Sequence, residues 1–242
     1  DPGLIALIHS LPTDCHPMDV MRTAVSYMGT KDAEHFTPDA DHITHVGHNL
    51  LAQLPMVLAM DIRRRAGKDI VAPDPDKSVA HNLLSMVFGN DEDSPASNPD
   101  DVRDFEKSLI LYAEHSFNAS TFTARVVTST TSDLYSAVTA AIGALKGSLH
   151  GGANEAVMHD MIDIDRPERA RDWLHAKLAA KEKVMGFGHR VYKNGDSRVP
   201  TMYDALVQVA AHVGDTRWLA IYHELAAAMD ERTGIKPNLD FP

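Results

Sequence analysis

The sequence predicts an all-α fold, and three observations carry that prediction. Apolar residues recur every three or four positions through most of the chain, which is the period of a helix with one buried face. Glycine and proline fall mostly between those runs and punctuate them. Only Val184–Phe187 and the last few residues read as extended, so no sheet is expected.

Taken in order, Met18, Met21, Val25 and Met28 keep helical spacing, and Gly29 follows as the expected C-terminal stop. A longer helix is predicted from Asp41 to Arg65, with Val46, Leu50, Leu54, Leu58 and Ile62 on one stripe. Pro55 should kink or divide it, since proline lacks the amide hydrogen that a helix interior uses. Ser78 to Phe88 reads as a helix ended by Gly89, and residues 90–101 as an acidic loop with Pro95 and Pro99. From Val102 to Leu145 the helical residues turn small: Ala119, Ser120, Ala124, Ser136, Ala137, Ala140, Ala141 and Gly143 are examples. Small faces let helices approach closely, so this stretch is expected to be buried, against its neighbours or a second subunit. Further helices are predicted over Asn154–Ile162, Pro167–Glu182, Val199–Val213 and Thr216–Arg232, with Pro167 suited to a first helical turn.

Bulk properties exclude several functions. With 23 basic against 34 acidic residues the net charge is −11, which argues against a general nucleic-acid binder. No apolar run is long enough to span a bilayer, and residues 1–20 lack the basic start of a secretory signal. A single cysteine, Cys15, cannot form an intramolecular disulfide and fits a reducing compartment, so the cytoplasm is expected.

Two glycine-rich elbows interrupt the helical pattern, each with a histidine. Gly147, Gly151 and Gly152 bracket His150, and a helix follows at Asn154. A helix start is a positive dipole end, so a histidine just before it is expected to stay neutral and able to donate to an oxygen that gains charge. Spacing alone leaves a plain glycine turn between helices as an equal reading. The second elbow, Gly186-Phe187-Gly188-His189-Arg190-Val191, lies inside Lys181–Arg198, where five basic residues face two acidic ones. Such an island can take a carboxylate or phosphate, Arg198 bidentately, or be merely a solvated loop. Known phosphate and nucleophile motifs fail here. Val191 stands where a dinucleotide fingerprint needs its third glycine, and no Gly-Lys-Ser or Gly-Lys-Thr is present. His42, His45 and His48 recur three apart but lack a further ligand, so surface histidines are the favoured reading and no metal is expected.

Together these segments resemble the citrate synthase family. The stretch Gly186 to Arg198 is similar to that family's signature almost throughout. So are Ala113-Glu114-His115-Ser116-Phe117-Asn118-Ala119-Ser120-Thr121, Leu149-His150-Gly151-Gly152-Ala153-Asn154-Glu155-Ala156 and Lys236-Pro237-Asn238-Leu239-Asp240. Four motifs in one order cover most of residues 10–242, and the stretch from His115 to His159 is most similar to bacterial 2-methylcitrate synthases and short bacterial citrate synthases.

The resemblance implies a two-domain helical fold, with residues 1–150 in a large domain and 151–242 in a small mobile one that closes on oxaloacetate. It implies condensation of propionyl-CoA or acetyl-CoA with oxaloacetate, as in propionate catabolism or the tricarboxylic acid cycle, by a cytoplasmic homodimer. Asp240 would remove the α-proton, His150 would stabilise the enol or enolate, and His189 would polarise the oxaloacetate carbonyl. His115, His189 and Arg198 would hold oxaloacetate. Lys183, Gly186, Phe187, Gly188, Arg190 and Lys193 would contact the CoA, with no permanently bound cofactor and acyl-CoA as substrate. Family members begin earlier and continue past the Asp240 segment. The 242 residues are therefore expected to be part of a longer polypeptide, truncated at both ends, and a chain ending at Pro242 to condense little. Two other classes remain alongside: a non-catalytic helical module binding a phosphorylated ligand at Lys181–Arg198, and a metal protein using His42, His45 and His48.

Overall fold

Side-chain caps and helix-starting prolines set where the helices begin. In the computed structural model, which describes residues 1–34, 39–113, 116–189, 191–192 and 194–242, eleven α-helices occur among the described residues. They are α1 (Pro2–Ser10), α2 (Pro17–Gly29), α3 (Ala40–Arg65), α4 (Val79–Phe88), α5 (Pro99–Tyr112), α6 (Ala119–Thr128), α7 (Leu134–Leu145), α8 (Gly152–Ile164), α9 (Pro167–Ala179), α10 (Val199–Val213) and α11 (Arg217–Thr233). Asp39, Ser78, Asn118 and Asp133 each accept a backbone N–H in the first turn of α3, α4, α6 and α7. A capping oxygen of this kind satisfies one of the orphan donors at a helix start.

The all-α expectation holds, with two corrections and one refinement. α1 went unpredicted because Leu4 and Ile8 alone carry its buried face. α3 runs unbroken through Pro55, although that residue has no amide hydrogen to give the carbonyl of Leu51 one turn earlier. Gly29 does end α2, but as its last helical residue with ordinary backbone, and a Cβ there would come within 2.9 Å of the Tyr135 Cβ. Its smallness serves the close approach of α7.

Two compact units are present. The first holds Asp1–Val102 and His115–Gly147, the second Arg103–Glu114 and Ser148–Pro242. The second unit thus takes in Arg103–Glu114, which the sequence had left in the large domain, because the Tyr112 hydroxyl reaches the Leu239–Asp240 segment.

In the first unit Leu4, Ile8, Val20, Ala24, Val57 and Met60 form one buried cluster, and Val25, Val46, Leu50 and Ile142 another. α6 packs on α7 and α7 on α2, yet α6 contributes no buried residue within this unit, so the expected burial of this small-faced stretch against its neighbours is not found there. The arginines ending α3 do more than complement its dipole. Arg64 and Arg65 grip the buried Asp61 at 2.8 and 2.9 Å and reach on to carbonyls of Leu11, Pro12, Thr13 and Cys15. Their charge is used to fasten the loop between α1 and α2.

The second unit is built on Val157, Met161, Ile164, Ala170, Leu174, Ile221, Tyr222, Leu225, Ala228, Met229 and Phe241, drawn from α8, α9, α11 and the last segment. Trp173, Trp218 and Phe187 pack against that core. Arg171 of α9 ties to Glu224 and Glu231 of α11, both at 2.8 Å. Leu174 is fully buried, so Leu174→Ala should destabilise this unit by about 2–5 kcal/mol through lost burial and a residual cavity. Denaturant unfolding followed by circular dichroism checks this, and a loss below about 1 kcal/mol would contradict the packing described.

Candidate active site

The second glycine elbow is held by backbone pairing with the chain's last segment. Phe187 and Pro237 form an isolated antiparallel bridge. Gly188 N donates to Lys236 O and Asn238 N to Gly186 O, each at 2.9 Å, and Asn238 Nδ2 donates to Gly188 O at 2.8 Å. Gly186 is required at its place: φ is +81°, and a Cβ would sit 2.9 Å from both Phe241 Cβ and Val157 Cγ2. Phe187 stacks near Phe241, ring centres 4.4 Å apart, which seals the pairing onto the core. One consequence is that His189 and Asp240, distant in sequence, emerge from adjacent backbone.

His189 has a defined tautomer. Its Nδ1 accepts from Val191 N at 3.1 Å and Tyr192 N at 3.2 Å, an arrangement that leaves Nε2 as the nitrogen carrying the hydrogen. The imidazole can therefore act as a hydrogen-bond donor and proton source through Nε2.

Asp240 is partly buried, and burial pushes its carboxyl above the usual range. The Tyr112 hydroxyl, donating to Oδ1 at 2.9 Å, and the charge of Arg198 pull it down, while Asp196 raises it. A carboxylate so placed is a stronger base than one in water and is still ionisable.

Arg198 stands just before α10 with its fork closed on Asp196: Nε to Oδ1 is 2.9 Å and Nη2 to Oδ2 is 2.7 Å. Asp196 also accepts the backbone hydrogens of Arg198 and Leu239, at 3.0 and 3.1 Å. Burial works to raise the Asp196 carboxyl, but these hydrogen bonds and the guanidinium outweigh it and hold it below the usual range. Tyr192 lies 5.4 Å from the guanidinium carbon, under its face. Of the basic island, then, Arg198 is already paired within the protein, and Lys183 is exposed.

His150 lies in the turn that enters α8, its carbonyl accepting from Ala153 N at 3.0 Å. α8 begins at Gly152, two residues before the Asn154 start expected, because the glycines themselves adopt helical backbone. Asn154, in the first turn of α8, acts to lower the Tyr112 phenol against burial and the Asp240 charge, and that phenol donates to Asp240. His115, Arg190 and Lys193 lie outside the described residues. Gly186 and Phe187 serve packing, as above, and Gly188 the backbone pairing. Sequence reasoning missed Tyr112, Asn238 and the clamp role of Asp196. Tyr112 lies just before the Ala113–Thr121 motif, and that adjacency was the available signal.

His42 bonds Asp32 at 2.9 Å, and His45 bonds Asn49 at 2.9 Å. Among the described residues no group of three or more metal-ligating side chains could hold an ion, nor is any helix long and apolar enough to cross a membrane.

The sequence pattern of the citrate synthase C-terminal domain matches residues 1–242. The chain belongs to the citrate synthase family. It is 71% identical over 242 residues to a protein of Corynebacterium glutamicum named 2-methylcitrate synthase 2, covering all of this chain and 63% of that one. It is 59% identical to a citrate synthase of Mycolicibacterium smegmatis, again over the whole chain and 63% of the relative. A solved ternary complex of carboxymethyl coenzyme A and oxaloacetate with the citrate synthase of Thermoplasma acidophilum superposes with a TM-score of 0.87 at 29% identity, covering 100% of this chain and 63% of that one. The chain thus spans just under two thirds of the length of these relatives.

Asp196 generates a stability prediction. Asp196→Asn removes the charge that compensates a guanidinium only 16% exposed, and should cost about 3 kcal/mol or more. Because the Asp196 carboxyl is depressed in the folded state, the stability it adds is complete above the unfolded value near pH 4 and is lost as pH falls through the folded value. Unfolding midpoints of parent and variant should therefore converge toward acid, and parallel curves would refute the assignment.

Proposed function

We propose that the protein condenses propionyl-CoA or acetyl-CoA with oxaloacetate and water, giving 2-methylcitrate or citrate and free CoA. The observation that carries this reading is the juxtaposition, in one unit, of a carboxylate raised by burial and a histidine whose Nε2 bears the hydrogen. Asp240 takes a proton from the carbon next to the thioester. His150 donates to the thioester oxygen as it gains charge, in the manner of an oxyanion donor, which is typically worth about 3–4 kcal/mol. His189 gives the Nε2 hydrogen to the oxaloacetate carbonyl oxygen as the enolate carbon attacks. Water then cleaves the thioester.

Oxaloacetate is dianionic, and Arg198, together with His115 and His189, would hold its carboxylates. Asp196 keeps the guanidinium in a fixed plane for that task. We assign the CoA to the surface that carries Lys183, with Gly188, Arg190 and Lys193 nearby in sequence, and no permanently bound cofactor. The names of the relatives support both acyl chains, and one methylene separates them by only about 1–3 kcal/mol of binding. Family membership leaves a non-catalytic phosphate-binding module without support.

We further assign a homodimer formed through α6. This helix has no buried residue, and Phe117, Phe122 and Val126 on or beside it are 60%, 55% and 49% exposed. The single Cys15 suits a cytoplasmic setting.

In the full-length protein, Asp240→Asn should lower kcat about 100-fold or more. A continuous thiol assay of CoA release checks this. Release independent of oxaloacetate, or an Asp240→Asn variant as fast as its parent, would sink the reading. Light scattering should give twice the protomer mass, and a monomer would refute the assigned assembly.

A further inference from the structure

Tyr112 is poorly explained as a packing residue. It is 45% exposed and belongs to no buried cluster. Its hydroxyl nevertheless makes a specific contact, donating to Asp240 Oδ1 at 2.9 Å with the Leu239 carbonyl at 3.4 Å.

We propose that Tyr112 is a positioning residue for Asp240, engaging Oδ1 so that Oδ2 is the oxygen that takes the α-proton. This rests on the condensation reading given above. In the step, the C–H bond next to the thioester breaks, its proton forms an O–H on Oδ2, and the electron pair moves to the thioester oxygen. The Tyr112 hydrogen stays on its phenol throughout. Partial burial and the neighbouring Asp240 charge push that phenol above its usual range, which favours the form that donates. The groups that bear on Asp240 are Tyr112, Arg198, Asp196 and His189, and of these only Tyr112 makes a side-chain hydrogen bond to it. A donor to the charged form favours ionisation, so its loss should raise the Asp240 carboxyl further.

The test is Tyr112→Phe in the full-length protein, with kcat and kcat/KM for acyl-CoA followed against pH at saturating oxaloacetate. Loss of a hydrogen bond to a charged group predicts a fall in kcat of about 10- to 100-fold. The acidic limb should move upward by about one pH unit, with KM for oxaloacetate unchanged. A limb that stays in place overturns the proposal, whether the rate falls or not, because a merely structural tyrosine would leave it there. If circular dichroism shows that Tyr112→Phe does not fold, 3,5-difluorotyrosine at position 112 replaces it. That stronger donor should shift the limb downward, and an unshifted limb is again fatal. The condensation reading is judged separately, by the parent's oxaloacetate-dependent CoA release and its loss in Asp240→Asn. Failure there removes the basis for the inference, whereas success there with an unmoved limb rejects Tyr112 alone.

Discussion

The chemistry of the second unit rests on a short backbone pairing. Gly186–Gly188 and Lys236–Asn238 exchange main-chain hydrogen bonds across a long stretch of chain, and Asn238 adds a side-chain bond. Closing so long a loop costs entropy, though the cost grows only slowly with length. Three bonds would not hold such a closure in water, where each is worth about 1 kcal/mol net. They are held because Phe187, Phe241 and Tyr222 stack in sequence over the pairing, 4.4 and 4.7 Å between ring centres. The aromatic layer excludes water from the bonds, and the absence of a Cβ at Gly186 lets Phe241 lie against the backbone.

Asp196 adds a second, electrostatic fastening. Its buried carboxylate accepts from Arg198 and from the Leu239 amide, so one group fixes the Arg198 side chain and the backbone next to Asp240. The distances among these groups are thus set by shared contacts. Preorganisation of that kind is what makes a donor or a base effective, since little reorganisation remains to be done when charge develops.

Much of the fold could be read directly. α4, α9 and α10 begin at or within a residue of their expected starts, because Ser78, Pro167 and the run from Val199 carry local signals that tertiary structure did not override. Pro55 misled because it is a breaker by local preference, yet α3 has neighbours enough to tolerate a missing amide, while Gly29 ends α2 as expected and also gives room to Tyr135. α6 misled differently. Small residues announce close approach but do not say to what, and within its own unit the helix meets chiefly α7. At the site, glycine-flanked histidines were visible as unusual, and a resemblance supplied their roles. Tyr112 escaped notice because a lone tyrosine at a helix end carries no periodic or spacing signal, and only the fold brings its hydroxyl to Asp240.

Both tryptophans of the chain lie in the unit that carries Asp240. Trp173 donates to Asp163 at 2.7 Å, and Trp218 lies beneath the Arg217 guanidinium at 4.3 Å. Indole emission from these residues is sensitive to the same α9–α11 core on which the aromatic layer rests, while the first unit contributes only tyrosine. Intrinsic fluorescence of this segment is accordingly an optical gauge of one half of the chain, and a melting curve recorded that way says little about the other.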